Sequence, residues 1–405
     1  MQSINRIFNP LFVQSNRYLL IFLVLFLLPI SGLSTDIFVP SLPALKLDFA
    51  TQQSLVQLTI TAYMLGLGIM QFFAGPISDS FGRRKPFLGS MLFYIITSLW
   101  IPFSHSIYEI VVLRALQGAA VAISVVPLRA IVADLFKGHE FQKISNTVAL
   151  AWSIGPIIAP FIGGYLQHYF GWQACFYALT IYSAIGFIAI FLLMPETSAH
   201  RHSFHWISIA KRYREILTHK KYLAAVIMNG LLYSMVILFS VIVPFLTKSL
   251  LHYNAIQFGH LALLIGVAWA LGSIVNRFMI HWDSRKKVTL FLSAMLILNV
   301  IQLLYLFLFP FHITIFMTLN FIFFFFGAIV LTNNFSFALA LFPHANGSAN
   351  ALFGAFVFLI PTGISLLGTL LKTSSALPMT FAFFIIVILC LTFSTLLKKG
   401  PAHAI

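Results

Sequence analysis

The sequence predicts an all-α membrane protein of twelve transmembrane helices. Three observations carry that prediction. Of 405 residues, 60% are hydrophobic and 8% charged, where a soluble domain is about a quarter charged, and no soluble fold of this length hides so much apolar surface. The apolar segments are long and lack the strict alternation of barrel strands, so they read as helices. The lysines and arginines are sorted to one side of those segments, as helical topology requires.

Twelve segments, each reaching the roughly 17–25 residues that cross a bilayer core, follow in order. The first, 18–42, lacks a clear small-residue cleavage site and reads as a span rather than a removed signal. Its ending, LFLLPISGLSTDIFVP from Leu25 to Pro40, carries Asp36. A carboxylate that deep in an apolar segment is costly unless something offsets it. It is also isolated. Of the nine acids, Asp48 falls in the loop after the first span, and Asp79 in the next connection. Glu109, Asp134 and Glu140 lie at the ends of the fourth span, Glu196 and Glu215 in the central loop, and Asp283 in a later loop.

After the second span, 54–76, the chain reads GPISDSFGRRKP, Gly75 to Pro86. Gly75 and Gly82 permit a tight turn where helices come close. Asp79 can accept hydrogen bonds from a helix N-terminus, and Arg83 and Arg84 can pair with Asp134. The loop reads as a conformational latch or, more plainly, as a basic turn with incidental glycines. The third span is 87–104. The fourth, 107–133, carries Arg114 about 10 Å below its outer end, while Asp36 lies about 9 Å below the outer end of the first. The two can share one level of a cavity wall. Arg114 would stabilise the charged carboxylate in one state and release it in another, and a static pair that fixes helix packing is the other reading. Gln117, about one turn below Arg114, can bond it or line the cavity.

The fifth span, 145–169, contains Gly155, Pro156, Pro160, Gly163 and Gly164. Proline removes an internal hydrogen bond and glycine lets helices touch, so this set reads as a hinge or as close packing. Cys175 in the sixth span, 173–194, and Cys390 in the twelfth read as buried thiols. The longest connection, 195–220, divides the chain into halves at 1–194 and 221–405. Its second part has apolar and basic residues at helical spacing and reads as an interfacial helix. His200, His202 and His205 there fit a solvated linker better than a metal site.

The second-half spans, 221–247, 256–281, 288–309, 312–342, 347–371 and 377–396, contain no acid. Asn229, Tyr233, Asn333 and Asn334 are the expected cavity contacts, with Asn299, Gln302 and Asn320 as further polar candidates that can simply bond neighbouring helices. His260 lies near the outer face. The run FIFFFF, Phe321 to Phe326, reads as lipid-facing bulk.

Lys46, Lys248 and Lys372 are the only lysines or arginines on one side, Arg114 is within a span, and the remaining twenty lie on the other side or at its edge. The crowded side is expected to be cytoplasmic, with both termini inside. The net charge of +15 is then topology plus contact with anionic lipid, and no separate basic domain exists to bind nucleic acid. The spans hold no Ser-His-Asp set and no metal-spaced His/Cys cluster, and no Walker-type loop is present, so neither an enzyme, a metal nor another cofactor is expected.

The G-x-x-x-D-x-x-G-R-R pattern within Gly75–Pro86 resembles the signature of the major facilitator superfamily. LRALQG, Leu113 to Gly118, resembles its span-four motif, and GPIIAPFIGG, Gly155 to Gly164, its span-five antiporter motif. STDIFVPSLP, AYMLGLGIMQFFAGPISDSFGRR and NGSANALFG look like multidrug/proton antiporters of the bicyclomycin/chloramphenicol-resistance (Bcr/CflA) type. Two features depart from those relatives: the early first span has no second acid, and Ala133 stands where many carry an arginine before Asp134. The resemblance implies two six-helix bundles with pseudo-two-fold symmetry in a bacterial cytoplasmic (inner) membrane. It also implies a monomeric antiporter that exports lipophilic or cationic organic compounds against protons by rocking of the halves, with Asp36 as proton carrier. Export of an endogenous metabolite such as a siderophore, or proton-coupled uptake, are the alternatives within transport.

Overall fold

The computed structural model describes residues 16–198, 206–342, 345–371 and 373–397, and every regular element among them is helical. Twelve helices are long and apolar enough to cross a membrane: Arg17–Asp48, Gln53–Phe81, Arg84–Phe103, Ile107–Leu135, Lys143–Phe170, Gln173–Leu193, Lys220–Leu251, Ala255–Phe278, Ser284–Leu308, Ile313–Ala340, Gly347–Gly368 and Leu377–Leu397. His200, His202, His205, Lys372, Lys398 and Lys399 lie outside the described residues.

The spans differ from expectation where proline and glycine act. The first is not one helix but Arg17–Leu27, Ile30–Asp36, a 3₁₀ turn Val39–Ser41 and Leu42–Asp48. Pro29, Pro40 and Pro43 have no N–H to donate, so the helical ladder breaks at each. Asp36 is the last residue of the middle piece, and Pro40 leaves its carbonyl without a helical donor. The second span runs on to Phe81, so Gly75 and Asp79 are helical rather than in a loop. The helix stops at Gly82, whose φ of 87° and ψ of −178° belong to glycine alone.

The packing repeats between halves. In the first, span two packs on four, three on four and six, and one on five. In the second, eight packs on ten, nine on ten and twelve, and seven on eleven. Moving six spans along the chain converts one set into the other. The halves meet through five with eight and two with eleven, contacts that the same operation exchanges. These are two six-helix bundles in pseudo-two-fold relation. Small residues set the approaches between them: a Cβ on Gly164 would lie 2.5 Å from the Ala255 carbonyl oxygen, and one on Gly259 2.9 Å from that of Pro160.

Apolar side chains such as Ile181, Ile297 and Phe307 are exposed on the outside, as a lipid-facing belt requires. The phenylalanine run is not such a belt throughout. Phe323 and Phe324 are buried, the first stacked on Phe383 at 5.5 Å between ring centroids and the second edge-on to Phe239, so this run supplies core to the second half. The linker helix, Trp206–Thr218, buries Tyr213 and Ile216, leaves Lys211, Arg212 and Arg214 exposed, and ties to span two through the Tyr213 hydroxyl, which donates to the Phe72 carbonyl at 3.0 Å.

Candidate functional site

The break in the first span brings Asp36 into a polar pocket inside the bundle. The carboxyl is 5% exposed and Arg114, on span four, is fully buried. The Arg114 guanidinium donates to the Ser34 carbonyl and to Gln117 Oε1, both at 2.9 Å, and lies 4.3 Å from the centre of the Tyr63 ring. Two charge-assisted hydrogen bonds and a desolvated cation–π contact offset much of the cost of burying that charge. Its Nε–H has no partner among the described residues. Gln117 passes the network on by donating to Ser98 Oγ at 2.6 Å.

Ser34, Tyr63, Tyr94 and Ser98 complete the pocket, and sequence reasoning missed all four. The Ser34 and Tyr94 hydroxyls bond at 2.5 Å, and Tyr63 donates to the Ser31 carbonyl at 3.1 Å. Asp36 and Arg114 are within electrostatic range, but no ion pair joins them among the described residues. Just beyond Asp36 the end of span one packs on spans seven and eight, so the pocket lies where the halves face each other. A buried phenol needs a polar partner for its hydroxyl, a signal that would have drawn attention to Tyr63 and Tyr94.

Arg129, which sequence reasoning set at the edge of the membrane, stands about 9 Å inside the end of span four. Its guanidinium lies 5.3 Å from the centre of the Trp152 ring, and the indole N–H donates to Ser31 Oγ at 2.8 Å.

The motif after span two is bonded as expected at Arg83 but not at Arg84 or Asp79. Arg83 pairs with Asp79 at 2.6 Å and with Asp134 at 3.1 Å. Burial alone lowers the basicity of Arg83, and the hydrogen bonds and charges of the two aspartates outweigh it, leaving its pKa raised. Arg84 does not meet Asp134; it donates to the Phe191 carbonyl at 2.6 Å. The N-terminus of span three is capped by Glu196 rather than Asp79. The Glu196 carboxylate, 4% exposed, accepts from the backbone N–H groups of Arg83, Arg84, Thr197 and Ser198. A Cβ at Gly82 would lie 2.2 Å from that carboxylate. Gly75 has open space around it, so its lack of a side chain serves no close approach in this conformation.

The proline-glycine set of span five packs on both halves. A Cβ at Gly163 would lie 1.8 Å from the Ile37 carbonyl oxygen and one at Gly155 2.5 Å from that of Pro29, while Gly32 faces Pro156. Pro160 and Gly164 touch span eight. Toward the cation-poor end the halves are joined by Gln57 donating to the Val241 carbonyl at 2.7 Å, Thr61 with Ser365 at 2.9 Å, and Tyr165 with His260 at 3.4 Å.

The expected asparagine contacts are turned to their own bundle. Asn334 donates to the Ala225 carbonyl and to Asn229 Oδ1, and Asn333 donates to Ser284 Oγ at 2.7 Å. Asn299, Gln302 and Asn320 are buried. Asn229, Asn333 and Asn334 thus bond neighbouring helices, whereas Asn320 donates to the Phe316 carbonyl of its own helix, and the Asn299 amide and Gln302 Nε2 lack a partner among the described residues.

A sequence model of the Major Facilitator Superfamily matches residues 24–365. The chain belongs to that superfamily. It is therefore a transporter-family protein rather than an enzyme, and a multi-pass membrane protein. It is 29% identical over 387 residues to an uncharacterised MFS-type transporter, YdgK, of Bacillus subtilis, covering 93% of this chain and 94% of that one. It is 28% identical over 373 residues to a bicyclomycin resistance protein homologue of Haemophilus influenzae, covering 88% and 90%. Among solved structures, a D-xylose–proton symporter superposes with a TM-score of 0.73 at 14% identity over 94% of this chain and 96% of that one, which speaks to the fold alone.

Proposed function

We propose that this superfamily member exports small organic solutes in exchange for protons by alternating access, with Asp36 as the proton carrier. The observation that supports this most is a buried carboxyl with no ion pair among the described residues, set at a helix break where the two halves face each other. Intramembrane acids are costly and are functional by default, and broken helices are where transporters place their binding sites. The relative named for bicyclomycin resistance supports a solute that is small and organic.

In this reading the cation-rich end is cytoplasmic, in a bacterial inner membrane, and residues 1–194 and 221–405 rock about the site with 195–220 as linker. Asp36 takes a proton from the outer side. Solute arriving from inside displaces it, and the free Nε–H of Arg114 becomes a partner for the carboxylate so exposed. Arg114 is a positioning residue, with Gln117 and the Ser34 carbonyl holding its other arms. Tyr233 is the second-half contact to solute, and the asparagines are not. Gly75, Asp79, Gly82, Arg83, Arg84 and Asp134, joined by Glu196, form the cytoplasmic latch, and the span-five set is the hinge. The protein acts as a monomer.

The test is transport in everted membrane vesicles carrying an imposed proton gradient. Addition of an exported compound, with bicyclomycin as first probe in a drug panel, collapses the gradient in wild type and not in Asp36→Asn. A panel-wide absence of any effect on the gradient contradicts the reading.

A further inference from the structure

Among Asp, Glu, Lys and Arg, three residues lie more than one turn from the end of any span: Asp36, Arg114 and Arg129. Two guanidiniums against one carboxylate leave an excess positive charge, and protonating Asp36 adds another. Asp36 alone favours a cationic solute, as the sequence implied; the full set of charges deep in the spans opposes one. Charge held away from water is costly unless matched, and a cation moving along these spans raises the mismatch while an anion lowers it.

Arg129 is where that imbalance is accessible. It is half-buried, and among the described residues neither an ion pair nor a hydrogen bond is recorded for its guanidinium. Its contact is with the Trp152 face, which holds the planar group and leaves its edge donors unused. From there a continuous series of contacts reaches the central pocket: Trp152 to Ser31, Ser31 to Tyr63, and Tyr63 to Arg114. Arg129 also stands just inside the cation-rich end, whose field draws anions toward it.

We propose that the transported solute carries an anionic group, such as a carboxylate, sulfonate or phosphate ester, and that Arg129, stacked on Trp152, receives that group on the way to the Asp36–Arg114 pocket. This rests on the transport path proposed above. The competing reading is an arginine that snorkels to lipid phosphates and only packs on Trp152.

The test is calorimetric binding to the purified full chain in detergent of three probes that share one ring system: 1-naphthoate, neutral 1-naphthamide and cationic 1-naphthylmethylammonium. In wild type the naphthoate binds about tenfold or more tighter than the other two, as one charge-assisted hydrogen-bond pair implies. Arg129→Gln loses that preference while still binding the amide, which reports a folded protein. Arg129→Lys, a milder change, falls between. Naphthoate binding no tighter than the amide, absent binding included, overturns the proposal, as does unchanged naphthoate affinity in both Arg129 variants. Asp36→Asn separates the two claims. Removing the one carboxylate leaves naphthoate binding at Arg129 in place, whereas proton exchange is lost, so anion binding and proton coupling succeed or fail independently.

Discussion

Arg114 and Asp36 occupy one buried pocket without forming an ion pair. The guanidinium is instead committed to the Ser34 carbonyl and Gln117 Oε1, each at 2.9 Å, with the Tyr63 ring beneath it. A closed Arg–Asp pair would hold the carboxylate permanently charged. An arginine tethered nearby, with one N–H in reserve, lets the same carboxyl be neutral or charged according to what else is in the pocket.

The tether depends on the geometry of a guanidinium. Lysine offers one ammonium point and cannot reach a carbonyl and an amide oxygen along two fixed arms. Arg114→Lys therefore leaves the buried Gln117 oxygen or the Ser34 carbonyl without its donor, at about 1–3 kcal/mol. The expected result is a lower thermal midpoint for the purified protein and slower transport. A midpoint unchanged from wild type contradicts this.

Gly82 should tolerate no side chain. Its backbone sits in a region closed to other residues, at about 1–3 kcal/mol, and a Cβ would meet Glu196 at 2.2 Å. Gly82→Ala is expected to be destabilising and to uncouple the cap on span three. Glu196→Ala should resemble it, because four backbone donors lose their acceptor. Protection of the Arg83 and Arg84 amides from hydrogen exchange measures both effects.

Two other glycines should behave in opposite ways. Gly75 is helical and has open space, so Gly75→Ala is neutral or stabilising by up to about 1 kcal/mol in this conformation. Gly163→Val must push span five off the Ile37 carbonyl, 1.8 Å from even a Cβ, and is expected to abolish folding or transport. Thermal unfolding of the two purified variants checks the contrast.

Asn334→Ala should lower stability by about 1–3 kcal/mol through the loss of its bonds to Ala225 and Asn229, yet leave solute affinity unchanged. A selective loss of affinity at wild-type stability would return Asn334 to the binding site.

The fold was legible because hydropathy, charge sorting and four short motifs all act locally along the chain. Asp36 and Arg114 were legible because a charge inside an apolar segment is conspicuous. Their surroundings were not. Ser34, Tyr63 and Tyr94 are ordinary in a sequence and become a pocket only when spans one, two, three and four converge. Glu196 looked like linker because the two donors that tie it to span three, the amides of Arg83 and Arg84, lie more than a hundred residues away. The asparagines misled in the other direction: polarity on a span identifies a buried amide, and only the packing of spans seven, nine and ten decides whether it faces solute or a neighbouring helix.

The most direct measurement is proton release from detergent-solubilised protein on adding compounds of either charge, with wild type beside Asp36→Asn. Release from wild type that disappears in the variant is the predicted result. Release of the same size from Asp36→Asn would contradict the account, because the proton would then come from a group other than the carboxyl at the break in the first span.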